Sequence, residues 1–226
     1  MSVLAQTLLI IHIASGFIAL ATGFLSMLNQ KGGKNHKLTG KVFFAGMTGV
    51  FITAIALSVI HPSPFLFMVG FFSYYMECSG YRALYLKKLN LQKPASLDWF
   101  INCIGLAFGV GLIAFSYTWF QSRGAWGSVP LLFGIFCLIT AVKDIQSFYR
   151  PQPKLSRLIS HGSQMGGAFA ATFTAFIVVN FTLGSLTWLL WILPGVVIGI
   201  WISRNLRVLK AASNKAIIAK VSHAKN

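Results

Sequence analysis

The sequence predicts an all-α membrane protein built as a bundle of seven transmembrane helices. The chain of 226 residues has 56% hydrophobic and only 10% charged residues, whereas soluble domains carry about 25% charged residues. Seven apolar runs each approach the roughly 20 residues that cross the hydrocarbon core of a bilayer. The basic residues cluster at the ends of these runs, which is typical of membrane topology. Together these three observations exclude a soluble globular domain.

The predicted spans follow the apolar runs in chain order, and short connections between them indicate antiparallel neighbours. Segments that contain Gly, Pro or Lys separate consecutive runs and end the apolar pattern. They cover residues 3–28, 42–60, 65–86, 99–118, 129–149, 158–181 and 187–203. The chain is therefore divided into a transmembrane domain over residues 1–203 and a basic cytoplasmic tail over residues 204–226.

The charge distribution predicts the orientation of the bundle. The chain has 19 lysines and arginines. All but Arg123 lie in or beside the first, third and fifth connections between spans, or follow the last span. These segments share one side of the membrane when the number of spans is odd. The positive-inside rule places that side in the cytoplasm and the N-terminus outside. This pattern predicts a multi-pass protein of the bacterial inner (plasma) membrane.

The net charge of +16 also bears on the partners of the protein. A strongly basic chain can indicate nucleic-acid binding, but here the bases lie beside membrane spans rather than in a soluble patch. We therefore expect contacts with the lipid bilayer, and with anionic lipids at the basic loops and tail, and no nucleic-acid partner.

Small residues predict which helix faces pack together. Gly162, Gly166, Ala170 and Thr174 recur every fourth residue and share one face of the span 158–181. Small residues at this spacing let membrane helices approach closely. We expect this span to be central, and we expect a similar stripe that includes Ser15, Ala19 and Gly23 to turn the first span inward; the side chain of Phe17 should face lipid.

Polar residues inside the spans predict a pocket in the cytoplasmic half of the bundle. All three acidic residues of the chain lie within or at the end of a span. Ionisable groups at such positions usually mark functional sites, since burying them is costly. The predicted pocket is formed by Glu77, Arg82, Asp98, Asn102, Asp144, His161, Gln164 and His12.

Two other interpretations of the same residues stay open at the sequence level. Glu77 with Arg82, and Asp144 with Arg157, are candidates for ion pairs that only fix helix register. Alternatively, Glu77, Asp144 and His161 are candidate ligands of a divalent metal, because carboxylates with one imidazole suit such ions.

Haem is not expected from the histidine positions. Two axial histidines must come from facing helices at a similar depth. His12 lies well inside the first span from its outer end, His161 lies near the inner surface, and His36 and His61 lie in predicted loops. No two of them match in depth.

Three stretches of the chain together resemble an uncharacterised family of bacterial multi-pass membrane proteins, a domain of unknown function. They are HIASGFIALATG with KGGKNHKLTGKVFF, then ECSGYRALYLKK, then RLISHGSQMGGAFAATFTAFIVVN. The resemblance runs from the first to the sixth span. It implies an integral membrane protein with polar positions at His12, His36, Glu77, Arg82, Asp144 and His161, and it implies no established activity.

The function that these observations favour is binding or translocation of a small solute or proton through the polar pocket. A metal-assisted enzyme embedded in the membrane and a structural or partner-binding bundle are the alternatives. Whether the chain is an enzyme stays open at this point.

Overall fold

The computed structural model describes residues 2–86, 94–149 and 155–223, and within these ranges every regular element is helical. Two short 3-10 helices cover Gly124–Gly127 and Gly184–Trp191. The α-helices are α1 (Val3–Leu28), α2 (Lys34–Ile60), α3 (Pro64–Ala83), α4 (Ser96–Arg123), α5 (Ser128–Tyr149), α6 (Ser156–Asn180) and α7 (Leu193–His223). The predicted all-α class is confirmed.

The described residues contain five helical stretches that are long and apolar enough to cross a membrane. They are Val3–Leu28, Lys34–Ile60, Ser96–Tyr149, Ser156–Asn180 and Gly184–Val208. The chain is therefore a helical membrane protein. The count differs from the seven predicted spans, because α3 is not among the five and α4 and α5 fall in a single stretch of 54 residues.

Helix boundaries match the apolar runs closely at some ends and not at others. Helix α1 has the predicted bounds, whereas α2 begins eight residues before the predicted residue 42, at Lys34. Pro64 occupies the first turn of α3, where its missing N–H costs nothing. Helix α7 continues to His223, so the predicted domain boundary at residue 203 lies inside a helix.

Several basic residues used to predict the orientation have no described structure. Lys87, Lys88, Lys93, Arg150, Lys154 and Lys225 lie outside the described residues.

Helix α6 packs against α3 on one side and α7 on another, as its small residues predict. A Cβ added at Gly166 would collide with the side chain of Ile202 on α7. A Cβ added at Gly167 would collide with Met76 on α3. Both contacts are with the ends of flexible side chains, and they place α6 between α3 and α7.

Helix α1 packs on α2 through the predicted stripe. The side chains of Ser15 and Ala19 lie against Gly49 and Gly46 of α2, and Gly23 faces the ring of Phe43. The side chain of Phe17 points away and is 70% exposed. An exposed phenylalanine on a helix of this hydropathy is a lipid-facing residue.

The two halves of the bundle differ in composition. Near the end that holds Pro64, the ring of Phe65 lies 4.7 Å from that of Trp119 and 5.2 Å from that of Trp191, measured between ring centroids. Phe115 and Phe133 extend this aromatic cluster. Buried polar side chains, described next, concentrate toward the other end.

Candidate polar site

A salt bridge joins the C-terminal end of α3 to the N-terminal end of α4. The Arg82 guanidinium donates from Nε to Asp98 Oδ1 at 2.7 Å and from Nη2 to Oδ2 at 2.9 Å. The backbone N–H of Ala95 also donates to Asp98 Oδ2, at 2.8 Å. Asp98 is only 2% exposed, so this two-pronged pair compensates a buried charge.

A second network surrounds Asp144 of α5. Its Oδ2 accepts hydrogen bonds from the hydroxyl of Tyr75 at 3.1 Å, from Nε2 of Gln164 at 2.9 Å, and from the hydroxyl of Ser79. These donors belong to α3 and α6, so one carboxylate ties three helices together. Three hydrogen bonds to this oxygen satisfy the carboxyl group without a cation.

Asn102 links the two networks through α4. Its Nδ2 donates to the backbone carbonyl of Asp98 at 2.8 Å, and its Oδ1 lies 3.4 Å from the hydroxyl of Tyr75. A chain of polar contacts therefore runs from the Arg82–Asp98 pair to Asp144.

Glu77 of α3 stands apart from both networks. Its side chain is 0% exposed. Among the residues that the structure describes, neither of its carboxyl oxygens has a hydrogen-bond partner, and the buried Oε1 of Gln164 has none either. Most buried polar atoms in proteins are hydrogen-bonded, so each exception requires an explanation.

Two histidines meet near the N-terminal ends of α2 and α6. The ring centroids of His36 and His161 lie 6.4 Å apart, and the ring planes are nearly perpendicular at 86°. His161 places Nδ1 2.9 Å from the carbonyl oxygen of Gly80, and His36 places Nδ1 3.0 Å from that of Ser26.

His12 belongs to neither group. Its Nδ1 lies 2.9 Å from the hydroxyl oxygen of Thr53 on α2. The hydroxyl of Thr53 donates to the carbonyl of Gly49 at 2.7 Å, so it accepts from the histidine. His12 thus joins α1 to α2.

The structure corrects both predicted ion pairs. Arg82 pairs with Asp98 instead of Glu77, and Arg157 donates to the carbonyl of Leu84 at 3.3 Å rather than to Asp144. The reason for the first is helical geometry, since residues five apart do not share a helix face.

The predicted metal site of Glu77, Asp144 and His161 is not assembled. Within the described ranges, no group of three or more His, Cys, Asp or Glu side chains is placed to hold a metal ion. Asp144 accepts from three protein donors, and His161 turns Nδ1 to a backbone carbonyl.

Sequence reasoning missed Tyr75, Ser79 and the location of His36. Tyr75, Ser79 and Arg82 share one face of α3 at intervals of four and three residues, a signal that was available in the sequence. The apolar run starts at residue 42 and so predicts a loop at His36, but the helix begins at Lys34.

Comparisons with known proteins add no relative. No family model matches the chain, and neither the curated proteins nor the solved structures include a significant match. The resemblance to an uncharacterised family of membrane proteins stays a prediction.

Proposed function

We propose that the protein is a bacterial inner-membrane transporter that binds a proton at Glu77 and translocates it, alone or with a small solute. One observation carries this proposal: Glu77 is fully buried in the bundle and, among the described residues, its carboxyl group has no partner. An unpaired carboxylate in such a place is expensive. Binding of a proton removes that cost, which makes the carboxyl group a site that exchanges protons.

The nearest base along the chain does not offset the charge of Glu77. Arg82 gives two hydrogen bonds to Asp98 and is held at the end of α3. Six residues separate Glu77 from Ala83 at that end, about 9 Å along the helix axis. The charge of the Glu77 carboxylate must therefore be compensated by a bound species. Ionisable groups of this kind inside a membrane mark proton and ion pathways.

The Asp144 network supplies groups that can exchange protons between α3, α5 and α6. Tyr75 and Ser79 carry hydroxyl groups, which both donate and accept, and Gln164 contributes an unpartnered buried oxygen at the interface of α3 and α6. Groups of this kind pass protons by exchanging donor and acceptor roles. We propose that protons reach Glu77 from the end of the bundle that holds this network.

Replacement of Glu77 by glutamine tests the proposal. Glutamine keeps the shape of the side chain but binds no proton, so proton flux into proteoliposomes should fall about tenfold or more. The midpoint of thermal unfolding should stay the same or rise, because a neutral amide is less costly to bury than a carboxylate. Lys143→Gln, which changes an exposed residue next to the site, should leave both measurements unchanged.

Two results would overturn the proposal. Wild-type protein that conducts no protons under any gradient would exclude translocation. Glu77→Gln protein that conducts at the wild-type rate would show that the carboxyl group is not on the path.

The proposed arrangement in the membrane has seven spans, with the N-terminus outside and the C-terminus in the cytoplasm. A stretch of 54 residues is about 80 Å long as a helix, far more than one crossing needs. The 3-10 turn Gly124–Gly127 divides it into α4 and α5, which pack along each other. Helix α3, with 20 residues, has the length of one further span.

Cysteine labelling tests this orientation. In a variant whose three native cysteines are replaced, a cysteine at Lys37 should be protected from an impermeant thiol reagent in intact cells. A cysteine at Arg123 should react. Both positions are exposed on the protein surface, so burial does not explain a difference. The reverse labelling pattern would contradict the orientation.

Anionic lipids are the proposed partners of the inner surface. Arg204 and Arg207 line a cavity of about 360 Å³ on the surface of α7, beside Ile200 and Val196. Bases next to apolar side chains suit a lipid headgroup and its acyl chain, and each base near an anionic membrane surface contributes about 1 kcal/mol.

A further inference from the structure

The meeting of His36 and His161 is not used by the proposed proton path. The two rings come from different helices, α2 and α6, which are far apart in the sequence. Their centroids are 6.4 Å apart. Both residues lie at the same end of the bundle. From the sequence, a histidine pair is excluded because its members would differ in depth, and that objection does not apply to His36 and His161.

The hydrogen bonds of the rings determine which nitrogen of each is free to bind a metal. Each Nδ1 faces a backbone carbonyl, that of Ser26 for His36 and that of Gly80 for His161, and Nδ1 of His36 also lies 3.1 Å from the hydroxyl oxygen of Ser26. A carbonyl oxygen only accepts hydrogen bonds, so the tautomer that satisfies both carbonyls has the proton of each ring on Nδ1. In the neutral ring the lone pair is then on Nε2, the nitrogen that remains for a ligand.

This arrangement matches the support that proteins give to metal-binding histidines. Such histidines almost always donate their second ring N–H to a carbonyl or carboxylate, which fixes the tautomer and orients the ring. Here two neighbouring rings are both fixed in this way. The sequence does not predict this support, because the carbonyl groups belong to other helices, α1 and α3.

We propose that Nε2 of His36 and Nε2 of His161 bind one transition-metal centre of low net charge, copper(I) or the iron of a haem. A bond from a metal to imidazole nitrogen is about 2.0 Å long, so two rings that both turn Nε2 toward one metal, in a straight line, have centroids about 6.3 Å apart. The observed separation is 6.4 Å. Imidazole is a common ligand of both copper and iron.

The surrounding charge favours a metal centre of low net charge over a bare divalent ion. The ammonium group of Lys31 lies close enough to His161 to interact with it electrostatically. It is held there by hydrogen bonds to the carbonyls of Met27 at 2.6 Å and Ser26 at 3.1 Å. Two neutral imidazoles beside a fixed positive charge do not compensate a doubly charged ion. Copper(I) carries one charge, and a porphyrin offsets the charge of its iron.

The site is tested on the full-length protein purified in mild detergent from cells supplied with copper and with a haem precursor. Elemental analysis and the visible spectrum should show about one copper or one haem per chain. His36→Ala and His161→Ala should each lower that content at least about tenfold. His61→Ala changes an exposed histidine in the turn after α2 and should leave it unchanged.

The outcomes separate the two sources of the metal and can overturn the site. A Soret band with iron identifies haem, and copper without a Soret band identifies the free ion. If circular dichroism shows that a variant is poorly folded, wild-type protein is stripped of metal and titrated with copper(I) or haemin instead. Absence of binding there, or metal retained in both histidine variants, overturns the proposal. Proton flux through Glu77 does not enter any of these measurements.

Discussion

Replacing Arg82 with leucine is expected to lower the free energy of unfolding by about 3 kcal/mol. The change leaves the carboxylate of Asp98, which is 2% exposed, with the N–H of Ala95 as its remaining donor among the contacts described. Removing one partner of a buried pair typically costs about 3–5 kcal/mol, and Arg82 is 24% exposed, which places the effect at the lower end. Unfolding in detergent, followed by circular dichroism, measures it.

The double variant Arg82→Leu/Asp98→Leu is the control that separates charge from packing. Replacing both members of a buried pair with apolar residues is often close to neutral. The double variant should therefore be more stable than Arg82→Leu alone. A double variant that is less stable than the single one would show that the pair contributes through packing rather than through charge.

Replacing Asp144 with alanine is expected to cost about 3 kcal/mol as well. The hydroxyls of Tyr75 and Ser79 and the amide of Gln164 would lose their shared acceptor. Each buried donor left without a partner costs about 1–3 kcal/mol, and partial access of water reduces the sum. Thermal unfolding of the purified variant measures the loss.

Two variants calibrate this result. Tyr75→Phe removes one donor and should cost only about 1 kcal/mol. Lys143→Ala changes the exposed neighbour of Asp144 and should stay within about 0.5 kcal/mol of wild type. If Asp144→Ala were as stable as Lys143→Ala, the network would not hold α3, α5 and α6 together.

Hydropathy predicted the helices well because apolar length is what a bilayer requires. The bounds of α1 were predicted to the residue, and the predicted span 129–149 differs from α5 by one residue. Hydropathy fails where a helix continues beyond its apolar part. The first turns of α2 contain Lys34, His36 and Lys37, and backbone hydrogen bonds form there whatever the side chains.

The polar contacts were predictable only in part. The sequence identified Asp144 and Gln164 as inward-facing, but not that they bind each other across 20 residues. The partner of Arg82 lies 16 residues away, beyond a connection whose path no pattern indicates. Several residues at a similar depth could pair with Arg82. Which of them does so depends on how α3 packs against its neighbours, and that depends on the whole bundle.

The contrast between the aromatic end and the polar end of the bundle has an electrical consequence. The packed aromatic rings around Phe65 and Trp119 form a region of low dielectric constant, whereas the side chains around Asp144 form a polarisable one. A transmembrane potential falls mainly across the less polarisable layer, and one elementary charge moved through 100 mV is worth about 2.3 kcal/mol. In the proposed orientation, a charge that reaches Glu77 from the cytoplasm has therefore crossed little of the field. The step from Glu77 past the aromatic end is the one that membrane voltage would drive or oppose.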